Sequence, residues 1–205
     1  MSLLNHLGIS PQIYALLVEA TLQTLHMTAV AGLLGTLFGL PLGVLLATSG
    51  RGELLQCVTF NRIAGLVVNA TRSTPFIILV VAIIPFTRLV AGTSIGTAAA
   101  IVPLTIAAIP FIARIVETSI REVDQGLVEA AKAMGATPLQ IIRKVLIPEA
   151  MPGIVAGLTL AIVSLIGYSA MVGAVGGGGL GDLGIRYGYQ RFMPEVMALV
   201  VLVLI

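Results

Sequence analysis

The chain has 205 residues, of which 58% are hydrophobic and only 10% are charged. A soluble domain is roughly half apolar and a quarter charged, so this composition excludes an ordinary soluble protein and indicates one that spans a membrane. The formal net charge of +2 is too small to indicate binding to nucleic acid. With Cys57 as the single cysteine, no intrachain disulfide or thiolate metal cluster is possible. His6 and His26 have no partner at the spacing of metal ligands, so no metal site is predicted.

The apolar stretches of the chain favour helices over a barrel. Only helical bundles and closed barrels satisfy every backbone polar group in lipid. Barrel strands alternate between apolar and polar residues in short segments. Here the apolar stretches are long and do not alternate, as from Phe76 to Pro85 and from Ala161 to Val175. The sequence therefore predicts an all-α membrane protein.

About five hydrophobic segments follow one another, and each complete span needs roughly 20 residues to cross the hydrocarbon core. They cover about Thr21 to Thr48, a stretch ending near Phe86, Ala98 to Ile115, Gly153 to Val175, and a stretch from Met193 onward. The last stretch is still apolar at Ile205, so we expect the sequence to stop inside its final span. We predict one transmembrane domain over residues 1–205.

The basic residues predict the orientation, because Lys and Arg in short loops favour the cytoplasm. The longest charged interval, about 117–149, joins the third and fourth spans, and we place it inside. Seven basic residues then lie inside and three outside, which puts the N-terminus outside. The inside set is Arg51, Arg62, Arg114, Arg121, Lys132, Arg143 and Lys144, and the outside set is Arg88, Arg186 and Arg191.

The first span carries Gly35, Gly39 and Gly43 at intervals of four residues. Glycines at this spacing let a neighbouring helix backbone approach closely, which drives association in lipid. We expect them to pack against another helix of the same chain, with a contact between subunits as the alternative.

The charged interval predicts a helix, a tight turn and a second helix. Apolar residues recur at Val123, Leu127, Ala130, Ala131 and Met134, as on one face of a helix. Asp124 is the expected N-cap. Gly135 follows the last periodic residue, where a left-handed C-terminal turn favours glycine.

The second short helix has a strong predicted start. Thr137 caps it, Pro138 suits the first helical position, and Gln140 completes a capping box. Pro148 is expected to end it, because proline lacks the backbone donor that continuation needs. A surface helix lying on the membrane is the alternative to a surface for a partner.

This interval resembles the EAA signature of ABC-importer permeases. The match consists of Glu129-Ala130-Ala131, Gly135 after three further residues, and the hydrophobic end Val145-Leu146-Ile147-Pro148. Val145 and Ile147 depart from the usual residues but remain aliphatic. The resemblance implies coupling helices that dock on a separate ATPase subunit. The implied docking residues are Glu129, Ala130, Ala131, Gly135, Ala136, Thr137 and Pro138.

Three further stretches narrow the resemblance. Arg72 to Leu79 is similar to the second-span motif of amino-acid importers, and Ile166 to Gly181 with Arg186 to Phe192 resembles methionine-importer permeases. That family implies a homodimer in the bacterial inner membrane, two ATPase subunits that bind ATP and Mg²⁺, and an external methionine-binding protein. It implies no cofactor and no enzymatic activity on this chain.

Two nucleotide-binding motifs bear on whether this chain binds ATP itself. No G-x-x-x-x-G-K-[ST] occurs, so ATP hydrolysis would require another subunit. Gly176, Gly178 and Gly181 match G-x-G-x-x-G, but that fingerprint needs a preceding strand, and here a predicted transmembrane helix precedes it. A flexible external loop is predicted instead.

The candidate substrate pathway lies on the fourth span, where Ser164, Tyr168 and Met171 share one helical face. Pro75, within the motif from Arg72 to Leu79, is the fourth candidate. A polar stripe on a membrane helix indicates a water-lined route, although hydrogen bonding between helices explains it equally well. We expect a route for a small, mostly apolar solute.

Three rival functions stay open at this point. They are a permease for another small amino acid, a secondary transporter that works without ATP, and a purely structural membrane subunit. Secondary transporters commonly bind driving ions near the bilayer midplane. Glu19, Glu117 and Glu149 all lie near the ends of predicted spans, which argues against that rival.

Overall fold

The computed structural model describes residues 11–204, so His6 and Ile205 lie outside the described residues. Every regular element in this range is helical. The α-helices are α1 (Pro11–Thr48), α2 (Val58–Ser73), α3 (Phe76–Ala82), α4 (Ile84–Ala91), α5 (Thr97–Arg121), α6 (Gln125–Ala133), α7 (Pro138–Ile141), α8 (Ile147–Ala174), α9 (Gly179–Leu183) and α10 (Pro194–Leu204). Two π-helical segments, Ile142–Leu146 and Gly184–Tyr189, follow α7 and α9.

Three described helices are long and apolar enough to cross a membrane, or four if α2 and α3 form one broken span. The three are α1, α5 and the continuous helix Pro138–Ala174. The second predicted span is thus interrupted at Thr74 and Pro75, where proline disfavours a helical conformation of the residue before it. The fifth predicted span corresponds to α10, a shorter apolar helix of 11 residues.

The described residues divide into two compact units. The second unit consists of Leu33–Thr74 and Ile106–Ala161, and the first unit contains the remaining described residues, 11–32, 75–105 and 162–204.

Close packing between α1 and α5 organises the second unit. A Cβ at Gly39 would lie 2.8 Å from the carbonyl oxygen of Ile109, and one at Gly43 would lie 2.5 Å from that of Ala113. A Cβ at Gly35 would lie 2.6 Å from the Ala108 Cβ. These glycines therefore pack against another helix of the same chain, as the sequence predicted.

The helix that begins at Pro138 does not end at Pro148, which corrects the sequence prediction. It continues through the π-helical segment Ile142–Leu146 into α8 and ends at Ala174. Within the π-helical segment, the Ile147 amide donates to the Ile142 carbonyl, five residues back. In a regular α-helix the ring of Pro148 would meet a carbonyl one turn earlier, and the wider turn gives that ring room.

The glycine-rich segment, residues 176–181, is hydrogen-bonded to other parts of the first unit. The prediction of a flexible loop is therefore wrong. The Gly179 amide donates to Gln23 Oε1 at 2.9 Å, and the Leu180 amide donates to Thr24 Oγ1 at 2.9 Å. The Gly96 amide also donates to the Gly176 carbonyl at 2.9 Å. No strand precedes the segment, since it follows directly on α8.

Candidate docking surface and transport route

Hydrogen bonds made by the residues that flank helix α6 fix its two ends. Asp124 Oδ1 accepts a hydrogen bond from the Gly126 amide at 2.8 Å, which confirms Asp124 as the N-cap. Gly135 has φ +79°, its amide donates to Lys132, and the Ala136 amide donates to Ala131. This pair of bonds satisfies two terminal carbonyls of the helix in a Schellman arrangement.

The start of α7 follows at once and is held by a capping box. The Gln140 amide donates to Thr137 Oγ1 at 3.4 Å, and the Thr137 amide donates to Gln140 Oε1 at 2.9 Å. Pro138 stands in the first turn, where its missing donor would have no partner within the helix. The α6–turn–α7 geometry is therefore fixed locally.

The predicted apolar face of α6 is divided in the structure. Ala131 is buried, together with Val128, which the sequence pattern did not include. Leu127 and Met134 are instead 43% and 81% exposed. Tertiary packing thus selected a face rotated from the one that periodicity alone indicated.

The outward side of this segment is an exposed and partly apolar surface, which we call the docking surface. It consists of Leu127, Glu129, Ala130, Met134, Gly135, Thr137, Pro138 and Leu139, all exposed. Leu139 is 71% exposed, and a Cβ at Gly135 would meet no atom within 4 Å. Two predicted docking residues are not on this surface: Ala131 is buried against the rest of the chain, which corrects its assignment, and Ala136 is half-buried. A contiguous exposed apolar surface is typical of a site that binds a partner.

The candidate pathway residues lie in the first unit. The ring of Tyr168 stacks on that of Phe76 with centroids 4.5 Å apart and an interplanar angle of 15°. Because Pro75 directly precedes Phe76, the structure brings Tyr168 close to the segment that Pro75 starts. Ser164 is half-buried and Met171 is 46% exposed on the same helix.

Sequence analysis missed an ionic cluster in the second unit. The side chain of Glu117 is 7% exposed and pairs with Arg114 at 2.8 Å and with Arg121 at 3.0 Å. Arg114 also donates to the side-chain oxygen of Asn69 on α2. The spacing of three and four residues along α5 is the signal that would have identified the cluster.

Two more cations have defined surroundings. Arg72 lies with its guanidinium carbon 5.8 Å from the ring centroid of Phe111. In the π-helical segment Gly184–Tyr189, Arg186 pairs with Asp182. The hydrogen bond from Arg186 and the charge of Asp182 together raise the pKa of Arg186 above its ordinary value. Among residues 11–204, no group of His, Cys, Asp and Glu is placed to hold a metal ion.

The helical architecture and the apolar spans define a multi-pass membrane protein. The sequence profile of the family described as "Binding-protein-dependent transport system inner membrane component" matches residues 39–205. The chain belongs to this family, and it is a multi-pass protein of the inner membrane.

Relatives with high identity are permease proteins of one kind. The probable D-methionine transport system permease protein MetI of Vibrio cholerae is 58% identical over 190 residues, covering 93% of this chain and 84% of the relative. The D-methionine transport system permease protein MetI of Escherichia coli K12 is 54% identical over 158 residues, covering 77% and 73%.

Solved structures agree with these relatives. A chain of the MetNI methionine ABC transporter, solved in inward-facing conformations, superposes with a TM-score of 0.90 at 50% identity, covering 96% of this chain and 93% of that chain. A chain of an amino acid ABC transporter crystallised with histidines gives a TM-score of 0.78 at 22% identity, and at that identity the likeness shows the fold alone.

Proposed function

We propose that this chain is the membrane-spanning subunit of an ATP-driven importer of methionine. Two homologous permeases are named for D-methionine transport, and the superposed transporter is named for methionine. The observation that carries the proposal is the docking surface. It presents exposed apolar residues on a helix–turn–helix whose geometry is fixed by local hydrogen bonds.

The docking surface would insert into a groove of a separate ATPase subunit. Ala130 leaves the centre of the surface shallow, while Met134 and Leu139 project on either side of the Gly135 turn. Because the helix starting at Pro138 continues to Ala174, force applied at the docking surface would reach the fourth span directly. ATP and Mg²⁺ would bind the ATPase, and this chain would supply the route without catalysing a reaction.

The assembly would be a homodimer of this chain with two ATPase subunits and an external methionine-binding protein. We propose a single transmembrane domain over residues 1–205, about five spans, an external N-terminus and a cytoplasmic docking surface. Ser164, Tyr168, Met171 and Pro75 would line the route in the first unit, with the Phe76 stack fixing the orientation of Tyr168.

An uncharged thioether side chain suits these four residues, because none of them carries a charge for an ionic side chain. The same four residues would also admit other small apolar amino acids. Selection would therefore rest largely with the external binding protein.

The first experiment tests docking. Met134→Ser and Leu139→Ser, made together, should reduce co-purification of the ATPase at least tenfold, because both side chains are largely exposed and contribute little to packing within the chain. Phe192→Ser is the matched control, since Phe192 is 85% exposed in the first unit, on the proposed external side. Loss of the ATPase from the control alone would refute the assignment of the surface.

The second experiment tests the substrate. The reconstituted permease, ATPase and binding protein should take up radiolabelled methionine only with ATP, and unlabelled methionine should compete in either stereoisomer. Equal competition by histidine or glutamine would leave only a general amino-acid importer. Uptake without ATP would instead support a secondary transporter.

The third experiment tests the orientation. Leu139→Cys and Tyr189→Cys place thiols at exposed positions in the two units, in a background where Cys57 is serine. A membrane-impermeant reagent added to intact cells should label position 189 and leave position 139 unlabelled. The reverse pattern would invert the proposed topology.

A further inference from the structure

Helix α2 has a polar face that neither the docking surface nor the candidate pathway includes. Arg62, Gly65, Asn69 and Ser73 follow one another at intervals of three and four residues, which places them on one side of the helix. The opposite faces are apolar, with Val68 buried against Leu46 and Ala113. The exposed Ile63 and Val67 lie on a separate apolar face.

A cavity of about 560 Å³ in the second unit opens onto this polar face. Polar and apolar residues both line it, and the full set is Leu46, Asn61, Arg62, Gly65, Leu66, Asn69, Ala70, Ser73, Arg114 and Glu117. A Cβ at Gly65 would meet no atom within 4 Å, so the middle of the face borders open space. The volume lies within the roughly 300–1,000 Å³ of sites that hold small molecules.

The depth of this cavity makes contact with lipid tails unfavourable. Arg114 lies two turns before the end of α5 at Arg121, or about 10 Å along the helix axis. Polar and charged groups at such depth face a bundle interior or a water-filled cavity, because exposure to hydrocarbon is costly. Arg62 and Asn69 are exposed in the structure and need one of those two environments, whereas the Ser73 hydroxyl donates to the Asn69 carbonyl of its own helix.

The charges around the cavity favour an anion. Glu117 is already paired with Arg114 and Arg121. Within the described range 11–204, Arg62 forms no ion pair with a carboxylate, so its charge is not compensated locally. The lining therefore carries one more positive than negative charge, counting Arg62 and Arg114 against Glu117.

We propose that the polar face of α2, together with Arg114, lines a water-filled inner vestibule of the route, and that Arg62 attracts the carboxylate of a zwitterionic substrate there. The Arg114–Glu117 pair positions Asn69 at the wall of the vestibule through the hydrogen bond between Arg114 and Asn69. This inference rests on the proposed transport function, and it adds a polar section to a route whose other candidate residues are uncharged.

Cysteine accessibility tests whether water fills the vestibule. In the complex with Cys57 replaced by serine, Gly65→Cys and Ser73→Cys place thiols on the polar face. Ile63→Cys and Val67→Cys are matched controls on the apolar face of the same helix. In inside-out membrane vesicles, a charged thiol reagent should label positions 65 and 73 at least tenfold faster than positions 63 and 67.

A second measurement tests the role of Arg62. An anionic thiol reagent should modify Gly65→Cys, one turn from Arg62, faster than a cationic reagent of equal size, because a cleft lined by one sign of charge raises the local concentration of counter-ions. Arg62→Gln should reduce this preference severalfold, whereas Arg51→Gln, an exposed cation outside the cavity, should leave it unchanged. A preference that survives Arg62→Gln would remove the proposed carboxylate site.

The remaining outcomes would overturn the vestibule itself. Equal labelling of all four positions would show that α2 lies in bulk water. Slow labelling of positions 65 and 73, with disulfide cross-linking between two copies through Gly65→Cys, would show that the face is covered by a second subunit. Since labelling needs no methionine, it separates failure of the vestibule from failure of the proposed substrate.

Discussion

The two units each contain a turn built on a glycine with positive φ, and the two turns have different surroundings. Gly135 in the second unit has φ +79°, and Gly179 in the first unit has φ +75°. A Cβ at Gly135 would meet nothing within 4 Å, whereas one at Gly179 would lie 2.6 Å from Thr24 Oγ1 and 2.5 Å from the terminal methyl carbon of Met27.

The comparison distinguishes two reasons why a turn requires glycine. At Gly135 only the backbone conformation excludes other residues, because the turn projects from the protein. At Gly179 the conformation and the lack of space act together, since the backbone there binds Gln23 and Thr24 on α1. The turn at Gly135 is exposed and suits contact with a partner. The turn at Gly179 is anchored to α1 and suits a fixed scaffold.

Substitution of Gly179 should give the largest effect. Gly179→Ala combines a left-handed backbone cost of about 1–2 kcal/mol with crowding of about 1–3 kcal/mol. Thermal denaturation of the purified protein in detergent should show this loss of stability. Gly92→Ala is the matched control, because Gly92 has φ +73° and open space around its Cβ position. Equal destabilisation by both substitutions would contradict the crowding argument.

Substitution of Gly135 should have a smaller effect on stability and a specific effect on function. Gly135→Val should cost about 1–2 kcal/mol within the turn, because a β-branched residue fits poorly at positive φ. We expect weaker ATPase docking or ATP hydrolysis uncoupled from uptake, with normal insertion into the membrane. Gly135→Asn should be milder, since asparagine tolerates this conformation. Unchanged ATP-dependent uptake by Gly135→Val would show that the turn does not need glycine.

Loss of the cap at Thr137 should have the smallest effect of the three. Thr137→Ala removes the acceptor of the Gln140 amide, and such substitutions cost about 1 kcal/mol. Hydrogen exchange at the Gln140 amide should become faster, while Thr137→Ser should preserve the native rate. Unaltered exchange in Thr137→Ala would mean that the cap does not hold the start of α7.

Local signals explain why the α6–turn–α7 segment was predictable. Asp124, Gly135 and Thr137 act on backbone groups within a few residues, and the structure shows each in the predicted role. The anchoring of Gly179 depends instead on Gln23, which lies 156 residues away in the chain. A pattern of glycines alone therefore indicated a flexible loop.

Three further differences between the sequence predictions and the structure arise because a sequence pattern does not contain the packing around it. The choice between Leu127 and Val128 as the buried residue of α6 depends on neighbouring elements, which periodicity does not contain. The ion pairs of Glu117 join groups whose spacing is visible in the sequence but whose burial is not. Continuation of the helix past Pro148 depends on the π-helical turn, and the proline by itself signals termination.

The π-helical turn also changes how side chains along the helix Pro138–Ala174 are assigned to faces. A turn that closes over five residues takes up one residue more than a regular turn does. One residue corresponds to roughly 100° of rotation at 3.6 residues per turn. A helical wheel that treats Pro138–Ala174 as a single regular α-helix therefore offsets the azimuth of Leu139 from that of Tyr168 by about this angle.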